Sequence, residues 1–155
     1  MLQLTKRTEY GLIALVHMVD RRGDFVSARE ISETYQVPRR LLAEVLKDLA
    51  KHALVDSQRG ATGGYCLVRP AEEITVGEVV AALEGAPKLA GCETLEASRA
   101  GGECDLEPSC PIRSPLQRIR EGIWRQMQRT TLRSLVEPVF HITNLKHVDP
   151  ESTLI

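Results

Sequence analysis

The sequence predicts a mainly α protein with a small β-wing: a winged helix-turn-helix followed by a long C-terminal dimerisation helix. Three observations carry this. Two helical segments lie back to back between Ser27 and His52, the second opened by Pro38. Directly after them a glycine-rich turn, Arg59-Gly-Ala-Thr-Gly-Gly-Tyr65, separates two short strand candidates. Apolar residues then recur at helical spacings from Ile112 to Val136.

Composition is consistent with this. The chain has 155 residues, 43% of them apolar and only 4% aromatic, so a core of Leu, Val, Ile and Ala is expected. Lys6, Arg7, Glu9 and His17 interrupt the apolar residues between Leu2 and Val19, which excludes a signal-peptide layout there. No run approaches the length of a membrane span, and a cytoplasmic, non-membrane location is expected. The formal charge is -1, but residues 1–70 hold 11 Lys and Arg against 8 Asp and Glu, while residues 71–155 hold 9 against 13. A locally basic N-terminal half permits DNA binding without demonstrating it.

The first helix is expected over about Thr5 to Arg21, with Leu12, Leu15, Val16 and Val19 on its apolar side. Gly11 costs such a helix about 1 kcal/mol relative to Ala, which packing can offset. Lys6 and Arg7 near its start oppose the helix dipole. Phosphate contact and an ordinary solvated face account for them equally well.

Arg21-Arg22-Gly23-Asp24 reads as a turn. Ser27 and Glu30 have the spacing of a capping box, in which the hydroxyl accepts an early helix N–H and the carboxylate reaches back to the cap N–H. Val37-Pro38 ends that helix and starts the next, which buries Leu41, Leu42, Val45, Leu46 and Leu49 and leaves Arg39, Arg40, Ala43, Glu44, Lys47, Asp48 and Lys51 outside. Arg39 and Arg40 stand in the first turn, the end that enters the major groove in known docking modes. A charged solvent face explains them in most helices; the wing that follows favours DNA. Its strands are Leu54-Val55-Asp56-Ser57 and Gly64-Tyr65-Cys66-Leu67-Val68. The glycines between them allow a close approach of backbone to a duplex, and Arg59 is placed for the minor groove or phosphate. Cys66 reads as a packing cysteine.

Thr75 and Glu78 form a second capping-box pair, ahead of a helix carrying Val76, Val79, Val80 and Leu83 and stopped by Gly85 and Pro87. The segment that follows is long for an unsupported connection. It holds Cys92, Cys104 and Cys110 in a C-x11-C-x5-C spacing, with Glu93, Glu96, Glu103, Asp105 and Glu107 against Arg99 alone. This is neither a zinc-ribbon nor a redox C-x-x-C pattern. Three thiolates amid so many carboxylates repel one another unless a metal neutralises them, which favours an iron-sulfur cluster or zinc; exposure to water relieves the same repulsion. Beyond it, Ile112, Leu116, Ile119, Ile123, Met127, Leu132 and Leu135 define a helix of about twenty-five residues. Its stripe is too long for one small domain to cover, so a homodimer is inferred. The boundaries are 1–85 for the DNA-binding domain, 86–111 for the cysteine loop, 112–138 for the dimerisation helix and 139–155 for the tail.

Three stretches carry a family resemblance: Leu4-Thr5-Lys6-Arg7-Thr8-Glu9-Tyr10-Gly11-Leu12, the run from Leu54 through Arg59-Gly-Ala-Thr-Gly-Gly-Tyr65 to Leu67, and Ile74-Thr75-Val76-Gly77-Glu78-Val79-Val80. With three cysteines ahead of a long helix, the chain resembles the iron-sulfur winged-helix repressors that include IscR and NsrR. The resemblance implies a dimeric regulator of a double-stranded DNA operator. It also implies a [2Fe-2S] or [4Fe-4S] cluster on Cys92, Cys104 and Cys110 that senses redox state, nitric oxide or iron-sulfur status. A histidine ligand of the IscR kind has no counterpart in Pro111-Ile112-Arg113. A carboxylate ligand from the first helix of the other subunit, as in NsrR-like members, matches Glu9. Candidate DNA contacts are Lys6, Arg7, Ser27, Arg39, Arg40, Ala43, Arg59, Thr62, Gly63 and Gly64.

Two departures stand out. The eleven-residue first cysteine interval is longer than usual for the family, and Ala43-Glu44 replaces the Glu-Gln pair of IscR, so an IscR operator is not expected. The alternative within the fold is a clusterless thiol-redox or zinc-binding regulator. A thiol or metal-transfer enzyme is disfavoured because no histidine or acid-base pair accompanies the thiols. A protein-interaction role for the long helix is the third possibility.

Overall fold

The computed structural model describes residues 4–21, 23–60, 63–85 and 111–137, the side chain of Arg113 excepted. Its elements are α1 (Lys6–Met18), α2 (Ala28–Tyr35), α3 (Arg39–Lys51), β1 (Val55–Gln58), β2 (Gly64–Leu67), α4 (Val76–Glu84), α5 (Arg113–Arg129) and α6 (Leu132–Val136). The mainly helical winged fold is as the sequence predicts.

Helices α1, α3 and α4 enclose the core. Ala14, Leu15, Ile31, Leu42, Val45, Leu46, Leu49, Ile74, Val79 and Leu132 are each 0% exposed. Gly11 sits where α1 meets the other two helices: a Cβ there would lie 2.7 Å from Leu83 Cδ1 and 3.3 Å from Val45 Cγ1. The helical penalty of glycine is thus offset by a closer helix approach.

The N-terminus of α1 is tied down by the end of α4. Glu84 accepts hydrogen bonds from Thr5 N at 3.2 Å and Thr5 Oγ1 at 2.6 Å, and from the hydroxyl of the fully buried Thr8. Burial pushes the Glu84 carboxyl up, but the hydrogen bonds from Thr5 and Thr8 outweigh it, and it titrates below its ordinary 4.5.

Ser27 accepts the Glu30 N–H at 3.1 Å and caps α2. Only this half of the expected capping box forms. The Glu30 carboxylate instead meets His17 Nε2 at 3.1 Å and the Arg21 guanidinium, joining α2 to α1. His17 Nδ1 lies 3.1 Å from the Tyr35 hydroxyl. The second box is complete: Glu78 N–H donates to Thr75 Oγ1 and Thr75 N–H to the Glu78 carboxylate. Gln36 closes α2 in the left-handed region at φ 54°.

The wing is antiparallel, with Val55 opposite Leu67 and Gln58 opposite Gly64. Val26 adds a single bridge on the other edge of β2 that the sequence does not predict, exchanging both backbone hydrogen bonds with Tyr65 at 2.9 Å.

The largest departure lies in the C-terminal helix. In place of one helix to Val136, α5 stops at Arg129 and α6 restarts at Leu132, capped by Thr131 Oγ1 on Ser134 N–H at 3.2 Å. The break frees backbone groups for the start of α4. Val76 N–H donates to Thr130 O at 2.8 Å, and Leu132 N–H to Ile74 O at 2.9 Å. Leu132 is thereby driven into the core. Arg133 holds the joint from outside through Asp20 at 2.7 Å and Glu72 at 3.0 Å.

Two substitutions test these ties. A Cβ at position 64 would lie 2.4 Å from Val26 O, a backbone atom. Gly64→Ala is therefore expected to lower stability by about 1–3 kcal/mol in urea unfolding, through loss of the Val26 rung. Thr8→Val keeps the shape and removes a donor to an exposed carboxylate, and is expected to cost about 1 kcal/mol at neutral pH. Because the folded Glu84 pKa is depressed, its contribution is present above its ordinary value of 4.5 and lost as pH falls through the folded pKa. The difference between wild type and Thr8→Val should shrink over that acid window; a constant difference from neutral to acid pH would contradict it.

Candidate nucleic-acid interface

Packing of α3 decides which residues can meet a duplex. Leu42, Val45, Leu46 and Leu49 face inward, and Arg39, Arg40, Glu44, Lys47 and Lys51 are exposed. Ala43 is half-buried between the two sets. Arg40, whose side chain is 95% exposed, lies 3.6 Å from the Glu44 carboxylate. Pro38 caps the helix without a side-chain hydrogen bond, so the first turn beside Arg39 and Arg40 keeps unshared N–H groups, a setting that favours anions.

Lys47 belongs to this outward face and is absent from the sequence-derived candidates. The signal was present, since Lys47 follows Ala43 by four residues and Arg40 by seven.

The remaining candidates divide by what already holds them. Arg59 is exposed immediately after β1. Thr62 lies outside the described residues. Gly63 and Gly64 are required by the fold itself: a Cβ on Gly63 would meet Gln58 O at 2.3 Å, and one on Gly64 would meet Val26 O. Ser27 accepts a hydrogen bond as the cap of α2 and keeps its O–H hydrogen for donation.

Lys6 and Arg7 are not unpaired cations. Lys6 meets Glu9, and Arg7 reaches across to Asp48 on α3. The Lys51 ammonium, 2.7 Å away, is the main cause holding the Asp48 carboxyl below its ordinary range, and Arg7 adds to it. These pairs answer why cations stand at the positive end of α1.

Of the expected metal ligands, Cys92, Cys104 and Cys110 lie outside the described residues. Among the described residues no group of three or more His, Cys, Asp or Glu side chains is disposed to hold a metal. Glu9 is described: its side chain is 37% exposed and, among the described residues, its hydrogen-bond partner is Lys6 on the surface, with no core interaction holding the carboxylate. Cys66 is buried on β2 of the wing, and its thiol is pushed up by burial and then by Asp56, consistent with packing. No helix among the described residues is long and apolar enough to cross a membrane.

The chain is similar to several solved structures. CymR (YrzC), the global cysteine regulator of B. subtilis, shares 26% identity over 88% of this chain and 97% of its own, with a TM-score of 0.68. An oxidised form of Staphylococcus aureus CymR shares 27% identity over 90% of this chain and 100% of its own, with a TM-score of 0.68. T. potens IscR shares 25% identity over 87% of this chain and 86% of its own, with a TM-score of 0.64. The model of the Rrf2 family, described as iron-dependent transcriptional regulators, matches residues 4–138. With the winged helix, the exposed cations on α3 and this match across most of its length, the chain belongs to the Rrf2 family of DNA-binding transcription regulators.

Proposed function

We propose that this chain is a homodimeric, cytoplasmic repressor whose operator affinity is set by an iron-sulfur cluster sensing redox state, nitric oxide or iron-sulfur status. The observation that carries this is the acidic three-cysteine segment between α4 and α5, in a family described as iron-dependent. Three thiolates with one carboxylate form a donor set suited to a [2Fe-2S] or [4Fe-4S] cluster. Cys92, Cys104 and Cys110 would supply the thiolates, and Glu9 of the other subunit the carboxylate. Once bound, the cluster would contribute oxidant- and nitric-oxide-sensitive iron that can be lost.

The residues of α1 offer a route from ligand to reading helix. Glu9 is two residues from Arg7, and Arg7 is paired with Asp48 on α3. A pull on Glu9 is therefore resisted at α3, while Thr5 and Thr8 anchor the same turn to Glu84. Such a tie needs only a few kcal/mol of coupling to change operator occupancy greatly.

Dimerisation is supported by what α5 leaves uncovered. None of its described side chains is buried, and Ile119 is 54% exposed within the stripe of Leu116, Ile123 and Met127. Ile112 just before it is 57% exposed. A second copy laid along that stripe would cover it. Lys6, Arg7, Ser27, Arg39, Arg40, Ala43, Arg59, Thr62, Gly63 and Gly64 remain the proposed DNA contacts, with Lys47 added.

Likeness to the two CymR proteins favours a second reading, a clusterless thiol-redox regulator, since that of B. subtilis is described as the global cysteine regulator and that of Staphylococcus aureus has an oxidised form. Protein purified without oxygen separates the two. Iron and sulfide in stoichiometric amounts support the cluster, whereas colourless protein lacking both, but with DNA binding altered by thiol oxidation, selects the second.

Glu9→Ala is expected to lose iron faster than wild type under a chelator while sedimenting as the same dimer; identical iron retention and spectra would remove Glu9 as a ligand. Arg59→Ala is expected to weaken DNA binding and flatten the slope of log affinity against log salt by about 1 if Arg59 holds a phosphate. If it enters the minor groove, base preference changes instead. An unchanged salt series and unchanged preference would exclude both roles.

A further inference from the structure

Glu84 is the last residue of α4, an end where the helix dipole disfavours a carboxylate. Its position is explained by another helix. One of its oxygens, Oε1, accepts Thr5 N–H at 3.2 Å, Thr5 O–H at 2.6 Å and the O–H of the fully buried Thr8. The carboxylate thus stands at the N-terminus of α1, the end of a dipole that favours it. Thr5 is also the N-cap of α1, its hydroxyl oxygen accepting Thr8 N–H at 3.3 Å. The start of α1 is therefore built on the end of α4.

What lies on either side gives this contact reach. Gly85 follows at φ 80°, a left-handed conformation that suits glycine, and turns the chain out of α4. Cys92 comes seven residues after Gly85, so whatever holds that cysteine acts on the chain next to Glu84. On the other side, Arg7 lies between Thr5 and Thr8 in the same turn and pairs with Asp48 of α3. Burial raises the Glu84 carboxyl, the bonds from Thr5 and Thr8 lower it, and the Arg7 charge lowers it further. Arg7 therefore acts on a carboxylate of α4 as well as on one of α3.

We infer that Glu84 is a positioning residue for operator binding: it carries the state of the cysteine segment to α1 of its own subunit, and Arg7 and Asp48 carry it on to α3. This rests on the proposal that the segment holds iron. The route is separate from that of Glu9, which would reach the cluster of the partner subunit. Iron on Cys92 holds the chain at Gly85 and keeps Glu84 on α1; its loss releases Glu84, and the first turn of α1 shifts together with the Arg7 pair.

The test measures affinity for a duplex selected by wild type from a random library, with and without iron. The proteins are full-length wild type, Glu84→Ala, Glu84→Gln and the double variant Glu84→Ala with Thr8→Val, in which no buried hydroxyl loses its partner. Iron content and sedimentation are recorded for each. Wild type should show an affinity ratio between its two forms on the order of 5–150. In Glu84→Ala and in the double variant the ratio should fall toward one, at unchanged iron content and as the same dimer. Glu84→Gln should keep the wild-type ratio, because an amide oxygen accepts the same three bonds. Amide hydrogen exchange gives a readout without DNA. The N–H groups of Thr8 and Glu9, both bonded to Thr5, should exchange faster in wild type once iron is removed, and at that faster rate with or without iron in Glu84→Ala. Variants that bind more weakly in both forms at the wild-type ratio would overturn the inference, since Glu84 would then merely stabilise the fold. So would equal exchange in the two forms of wild type. Wild type that holds no iron, or whose affinity ignores it, would overturn the cluster reading as well, a result visible before any variant is compared.

Discussion

Leu42, Val45, Leu46 and Leu49 lose all contact with solvent when α3 packs into the angle between α1 and α4. At about 1.5–3 kcal/mol for each buried aliphatic side chain, this stripe contributes roughly 6–12 kcal/mol of transfer free energy. Rolling α3 by one residue step would expose part of it and forfeit an amount comparable to the net stability of an ordinary domain, about 5–15 kcal/mol. The orientation of the outward face of α3 is therefore fixed from inside. Arg39, Arg40, Glu44 and Lys47 face outward because the other side of the helix has nowhere else to go.

Charge near α1 illustrates how weak surface terms gain meaning from position. Exposed ion pairs contribute little stability singly, and cations at a helix start oppose its dipole. Lys6–Glu9 and Arg7–Asp48 offset that cost locally. Arg7 does more than neutralise, since it links the first turn of α1 to Asp48 of α3 forty-one residues later. The anchor at Glu84 makes that turn a fixed point between α3 and α4. A ligand role for Glu9 gains its consequence from this rigidity, because a mobile helix start would absorb any displacement before α3 felt it.

Much of the fold was legible because local signals agreed. Pro38 stops one helix and starts the next, Thr75 and Glu78 cap α4, and strict helical spacing places the buried residues of α3. What was missed depended on partners distant in sequence. Glu30 has the spacing of a capping residue, yet His17 and Arg21 hold its carboxylate from α1, and no local rule contains that competition. Val26 looks like a loop residue until Tyr65 supplies its ladder hydrogen bonds. The helix break at Thr130 did leave a trace. Met127 and Leu132 are five residues apart, a step that leaves one helical face, and Thr131 is a good cap. Gly63 and Gly64 suggested closeness to DNA; the fold also requires them, through backbone at Gln58 and at Val26 that a Cβ would strike. For Cys92, Cys104 and Cys110 the sequence remains the source of the assignment.

That break divides the labour of the C-terminal region. Leu132 and Arg133 attach α6 to the winged helix, one through the core and one through carboxylates on either side, so the joint packs as part of the winged helix. α5 lies beyond the joint, packed chiefly against α4, where Gln128 meets Gly77 so closely that a Cβ on Gly77 would fall 2.9 Å from the glutamine side chain. A continuous helix would have carried Leu132 around with its own twist and left Ile74 and Val76 without their backbone partners. In the proposed dimer, two such joints would hold each reading helix at a set distance from the paired α5 helices. Half-site spacing on an operator would then follow from the Thr130–Leu132 clamp as much as from the α5 pairing, since α3 and α5 share α4 as their common support.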